Sequence, residues 1–242
     1  MKINPYHPKL GLLLFSLGAL IGLFFMGLAA WADFEAYLFD VTRYFDTGLP
    51  TLRCPIVVSP QETGRIRASV TNTTENKLTR RIRFHVSHGL AVLLREEELT
   101  FVLAPGETQK FEWKISSDDV VWERLILARV YLYSSYPLPS RSSACGVIVA
   151  NVFNWPGAWI VAFAIVASLL SMSAGIMLRN KNNRPGLDMK RRFFDVELSM
   201  KTMIVVVALG ILSTLIGKWV LGAILVIVAT LMIVTVLAQS KW

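Results

Sequence analysis

Two cysteines and three histidines are all that 242 residues supply. There is no Cys-x-x-Cys, no His-Glu-x-x-His, no Gly-x-Ser-x-Gly elbow and no phosphate-binding glycine loop. These absences remove the chemistry that such patterns signal: zinc ribbons, metalloproteases, serine hydrolases and nucleotide-binding enzymes. His85 and His88 are the only candidate metal pair, and three apart on a strand they face opposite ways, a poor geometry for one ion. No catalytic, cofactor-binding or metal residues are expected, and neither a cofactor, a small-molecule substrate nor nucleic acid. Charge is scarce too. Charged residues make up 17% of the chain against 54% hydrophobic, with a mean hydropathy of +0.50, the balance of a membrane protein.

The charge present is unevenly placed. Net charge is +8, yet residues 33–154 hold 14 basic and 14 acidic side chains. The excess lies before the first apolar run, in residues 178–201 (seven basic, three acidic), and at Lys218 and Lys241. A basic balance outside a neutral middle marks the cytoplasmic side of a membrane rather than a polyanionic ligand.

Four apolar runs bracket that middle. The expected order is a cytoplasmic N-terminus (1–9), a first transmembrane helix (10–31), an interfacial collar (32–52) and an extracytoplasmic β-domain (53–152). A second helix (155–178), a basic cytoplasmic loop (179–201) and two closing helices (202–217 and 219–238) follow. Residues 10–31 carry no charge over 22 positions, enough to cross a hydrocarbon core of about 30 Å. Ala30-Trp31-Ala32 looks like a signal-peptidase site, but the run exceeds the apolar core of about 7–15 residues in a cleaved leader. A retained helix is expected. Residues 202–238 contain one charge, Lys218, and as one helix would be about 55 Å long. A tight turn at Gly217-Lys218-Trp219 resolves this.

Gly18 and Gly22 form a Gly-x-x-x-Gly pair, and Ala167, Ser171 and Gly175 recur every four residues. Small residues at this spacing let helices approach closely, and helix packing is the expected use, in a small bundle of the chain's own helices and laterally against partner subunits. For Gly18 and Gly22 the ordinary frequency of glycine in membrane helices is an equal reading. Lys190, Arg191 and Arg192 beside Phe193 and Phe194 suit a segment lying on an anionic inner leaflet, or a plain topogenic loop.

The middle reads as strands. Ile66, Ala68 and Val70 alternate with polar residues, as do Ile82, Phe84 and Val86, then Leu99, Phe101 and Leu103, then Phe111, Trp113 and Ile115. Residues 125–133 form a longer, mainly apolar strand, expected to be covered on both faces. With turn signals every 8–12 residues, this is the pattern of a seven- or eight-stranded antiparallel β-sandwich. Two cysteines confined to an external domain favour a Cys54–Cys145 disulfide joining its first strand to its last, a reduced buried pair being the alternative.

Ala68-Ser69-Val70-Thr71-Asn72-Thr73-Thr74, then Leu103-Ala104-Pro105-Gly106-Glu107-Thr108 and an aromatic strand, resembles the immunoglobulin-like modules of bacterial surface and membrane proteins. The resemblance implies an immunoglobulin-like sandwich on a helical membrane anchor, with binding or spacing roles and no catalytic residues. Asn72-Thr73-Thr74 is also a glycosylation sequon, relevant only in a glycosylating host.

Arg65 and Arg67 on one strand, with Arg81 and Arg83 on the next, would stack across a hairpin. Like charges so placed repel, so either an anionic partner meets them or Glu96, Glu97, Glu98 or Glu112 neutralises them. Together these features point to a non-catalytic accessory or assembly subunit of a larger bacterial membrane complex. It would sit in the cytoplasmic membrane with both termini inside and the sandwich outside, its partners other membrane subunits and the lipid bilayer. The alternative is a membrane-anchored surface binding protein, an adhesin or ligand-recognition module.

Overall fold

The computed structural model describes residues 6–40, 47–89, 93–182 and 189–240; for 6–9, 180–182, 189–196 and 236–240 this means the backbone alone. Four helices, α1 (Tyr6–Leu38), α2 (Gly157–Asn182), α3 (Met189–Leu215) and α4 (Trp219–Ser240), flank seven strands. These are β1 (Val57–Val58), β2 (Gly64–Thr71), β3 (Leu78–His88), β4 (Leu93–Leu103), β5 (Thr108–Ile115), β6 (Leu125–Leu132) and β7 (Arg141–Val149). The chain divides into two compact units. One comprises Met1–Ala30 with Ala162–Trp242, the other Trp31–Val161.

In the helical unit, α1 and α2 meet along small residues. Ser168 Oγ donates to Gly18 O (2.8 Å) and Ser171 Oγ to Leu14 O (2.7 Å). A methyl on Gly18 would strike the Ser168 carbonyl, and one on Gly175 the Gly11 carbonyl. Gly18, Gly22, Ser171 and Gly175 thus close α1 on α2 within the chain. Such a stripe states that a helix approaches closely without stating whose. Ala167 is half-buried.

The turn after α3 is where the lone charge placed it. Gly217 takes φ +72°, and the Gly217 and Lys218 amides return to Thr214 O and Ser213 O, ending α3 before α4 begins. Three stretches are long and apolar enough to cross a membrane: Leu10–Leu38, Gly157–Arg179 and Glu197–Leu215. The fourth expected span, 219–238, extends beyond the residues whose side chains are described, while the backbone of α4 is helical to Ser240. Trp219–Thr235 is the apolar part of α4 among the described residues, about 26 Å at helical rise. The basic segment also differs from the expected loop, since α3 begins at Met189 and carries positions 190–192 on helical backbone. The side chains of Lys190, Arg191 and Arg192 lie outside the described residues.

The other unit is a two-layer β-sandwich. Its sheets run β1-β7-β6-β3-β4 and β2-β5. Ile66, Ala68 and Val70 on β2 and Phe111, Trp113 and Ile115 on β5 face Ile82, Phe84, Val86, Ile126, Ala128, Val130 and Leu132 across one core. Phe84 stacks on Trp113 at 4.8 Å. The disulfide Cys54–Cys145 is formed, with Cα atoms 6.5 Å apart.

Strand direction departs from expectation. β1 runs parallel to β7, so the larger sheet is mixed rather than antiparallel. Alternation fixes the face a residue takes, not the direction of its strand, and two residues cannot display it. In the stretch expected as a collar, short helix or irregular, α1 continues without a break to Leu38. Trp31 Nε1 donates to Glu35 Oε1 one turn on (3.0 Å), and Phe39 N to Glu35 O (3.0 Å).

Asn72 is wholly buried, and its side chain holds the β2–β3 connection to the end of β4. Nδ2 donates to Asn76 O (2.8 Å), Leu103 O (3.1 Å) and Ala104 O (3.1 Å), while Oδ1 accepts from Thr74 N and Oγ1. A sugar on this nitrogen is incompatible with the folded domain. Asn72→Asp sets an acceptor oxygen against three carbonyls, and its expected cost is about 2–3 kcal/mol, read as a lower urea midpoint.

Candidate functional site

β6 is buried along its whole length because both of its faces are covered. Its even-numbered residues enter the sandwich core. Leu125 and Leu127 pack instead with Ala32, Ala36 and Phe39 of α1 and the segment after it, joined by Val121. Gly146 on β7 makes this approach possible, since a methyl there would overlap the Ala32 carbonyl. Its amide donates to Asp33 Oδ1 (3.0 Å).

Beyond the apolar contact lies a buried polar cluster built on the end of α1. Arg129, 2% exposed, sends Nη1 to Phe39 O (2.9 Å) and Asp40 O (2.8 Å), placing a cation at the helix C-terminus where the dipole favours it. Tyr131 OH donates to Asp40 O (2.6 Å) and lies 3.0 Å from Asp40 Oδ2. His85 Nδ1 meets the same carboxylate oxygen. On its other side Glu96 Oε2 stands 3.3 Å from Nε2 but off the line a hydrogen bond needs, leaving that nitrogen buried without a bond. Asp40 itself holds φ +51°, a left-handed backbone that ends the helix and turns its side chain into the cluster.

Burial, the largest cause, together with the Asp40 carboxylate raises the Tyr131 phenol from 10.0 to about 12 against the lowering pull of Arg129. A raised phenol stabilises the fold fully below the ordinary tyrosine range and ceases to do so as pH climbs through about 12. Phenolate absorbance should therefore show a late-titrating step that Tyr131→Phe removes.

This cluster fastens a helix to a sheet. It joins one helix end to two strands. Among the described residues, no group of three His, Cys, Asp or Glu side chains could hold a metal ion. His85 and His88 do face opposite ways, His85 toward Asp40 and the exposed His88 toward Asp119 (3.8 Å).

The four arginines are not one patch. β2 and β3 belong to different sheets, so the expected stacking across a hairpin does not occur. Arg65 and Arg67 share Glu112 (3.0 and 2.8 Å). Arg81 shares Glu98 with Arg83, and Arg83 also meets Glu96 (2.9 Å). Strands with one apolar face suit facing layers as well as neighbouring positions in a hairpin, and here the layers prevail. Hydrogen bonds from Arg83 and Arg67 hold the Glu98 and Glu112 carboxyls below the ordinary range. These pairs contribute above that range and fade as pH falls through the lowered values.

Sequence reading missed Asp33, Asp40, Arg129 and Tyr131. One signal was available: Arg129 is the only charge in an eight-residue strand otherwise fit for burial on both faces.

No family model matches the chain, and no curated protein does. Among solved structures it is similar to a Paenibacillus cycloisomaltooligosaccharide glucanotransferase at 14% identity and a TM-score of 0.33, covering 44% of this chain and 14% of that one. It is similar to a Bacteroides uniformis β-glucuronidase at 20% identity and a TM-score of 0.32, covering 41% and 13%. A CARDB domain from Pyrococcus furiosus, solved with di-metal ions, matches at 14% identity and a TM-score of 0.32, covering 46% and 97%. The matched region thus spans a small fraction of the two enzymes. At these scores the resemblances carry no argument about function.

Proposed function

We propose that the chain is a non-catalytic accessory or assembly subunit of a larger bacterial membrane complex, its β-sandwich held on the periplasmic or extracellular side to brace partner proteins. The observation that carries this reading is the fastening of the sandwich to helix segments at both of its ends. Arg129, Tyr131 and His85 grip the end of α1. At the other end Glu62 Oε2 accepts from Gly157 N (2.8 Å), capping the start of α2. A binding module on a flexible stalk needs neither clamp, whereas a brace needs both. In this reading α1 and α2 each cross the bilayer once, and the α3–α4 hairpin crosses twice, leaving both termini in the cytoplasm.

A surface for a polypeptide partner supports the same reading. β4 is an edge strand whose Leu99 shares the core-facing parity of Phe101 and Leu103 yet stands exposed, the opposite sheet having two strands among the described residues. An added strand or loop would complete that layer. The same surface would serve an adhesin or ligand-recognition module, the second reading. Gentle detergent extraction followed by native mass measurement separates them. A defined hetero-complex is the expected result, and a lone chain overturns the accessory-subunit reading.

A further inference from the structure

One end of the five-stranded sheet gathers exposed apolar side chains from three separate connections. The register identifies that end: Val58 pairs with Val149, Leu125 with Ile148, and His88 with Leu93. Leu93 and Leu94 open β4 there, Leu93 at 61% exposure. Trp122 stands exposed in the turn before β6, and Phe153, 85% exposed, in the link from β7 to α2. Residues 90–92 lie outside the described residues.

The backbone is strained where it presents the two rings. Trp122 and Glu123 take φ +50° and +59°, and Phe153 and Asn154 take +50° and +55°. Bulky side chains rarely accept this region, and such strain persists where the surroundings or a function require it. Neither ring enters the domain's core, so the strain serves to turn them outward.

Exposed apolar surface of this kind marks an interaction site, and two features select its occupant. The first is continuity. Phe153 precedes by four positions the first residue of α2, a helix long and apolar enough to cross a membrane. The second is composition. Phe153 lies 6.0 Å from the Trp155 ring, and Trp159 follows one turn later, the residue types favoured at headgroup depth.

We propose that this end of the sandwich is seated in the headgroup layer of the bilayer that α2 enters, with Leu93, Leu94, Trp122 and Phe153 in contact with lipid. The seating rests on α2 crossing a membrane and requires no protein partner.

Four variants of the full chain test it, Leu94→Cys, Phe153→Cys, Tyr136→Cys and Leu170→Cys. Each carries a fluorescent thiol label in a phosphatidylcholine nanodisc holding one copy. Tyr136 is 93% exposed at the opposite end of the sheet, and Leu170 is exposed on α2. Labels at 94 and 153 are expected to be quenched severalfold more by shallow nitroxide lipid than by aqueous iodide, the label at 136 the reverse, and the label at 170 by deep nitroxide. Iodide access at 94 and 153 overturns the proposal. So does shielding from both quenchers, which would mark a protein cover. Failure at 170 as well would remove the membrane reading itself, whereas success at 170 with failure at 94 and 153 removes only the seating.

Discussion

Replacing Cys54 and Cys145 together by serine should cost the sandwich about 4–5 kcal/mol in the chain-entropy model, because the bond closes a loop with a sequence separation of 91. That is a large share of the roughly 5–15 kcal/mol a domain has in hand. The bond also sits where the fold has least else to hold it. Cys54 precedes a two-residue strand, β1, whose pairing with β7 is brief. Cys145 is buried against the core beside Val147, so serine there adds a buried hydroxyl to the loss. The expected result is a urea midpoint far below that of the native protein, with protease cleavage appearing inside residues 31–161. Native protein held in reductant should show nearly the same shift. A double variant with an unchanged midpoint would mean that β1 and β7 hold together without the bond.

How much of this was legible in the sequence depends on what each signal encodes. The alternation of Ile66, Ala68 and Val70, and of Phe111, Trp113 and Ile115, gave the buried face of each strand, and the core is built from those residues. The largely apolar character of residues 125–133 gave a strand covered twice, and α1 supplies the second cover. Partner choice was not legible. β2 was expected beside β3 and lies beside β5, because an apolar face fits any complementary layer and the pattern does not name one. The small residues at 18, 22, 171 and 175 announced close helix packing and left open that both helices belong to one chain. The polar cluster was the least visible part. Asp40, His85, Arg129 and Tyr131 are spread over 91 positions and meet only after β3 and β6 pair and α1 lies across them.

The grip on α1 can be tested as a unit. Arg129→Met keeps the bulk of the side chain but removes the cation from two helix-end carbonyls buried with it, and the expected cost is about 3–5 kcal/mol. Gly146→Ala acts from the other side, its methyl forcing the Ala32 backbone off β7 and the Asp33 bond with it. In either variant, amide hydrogens of residues 31–39 should exchange faster, while those in the paired centre of β2 and β5, remote from the helix, change little. The two contacts lie about two helical turns apart on one helix, so the double variant carries the decisive information. If the end of α1 docks as a single body, the first substitution has already released what the second would release. The combined cost then falls well short of the sum. Costs that simply add would mean that Arg129 and Gly146 serve independent contacts, and that the helix end is not held as one piece.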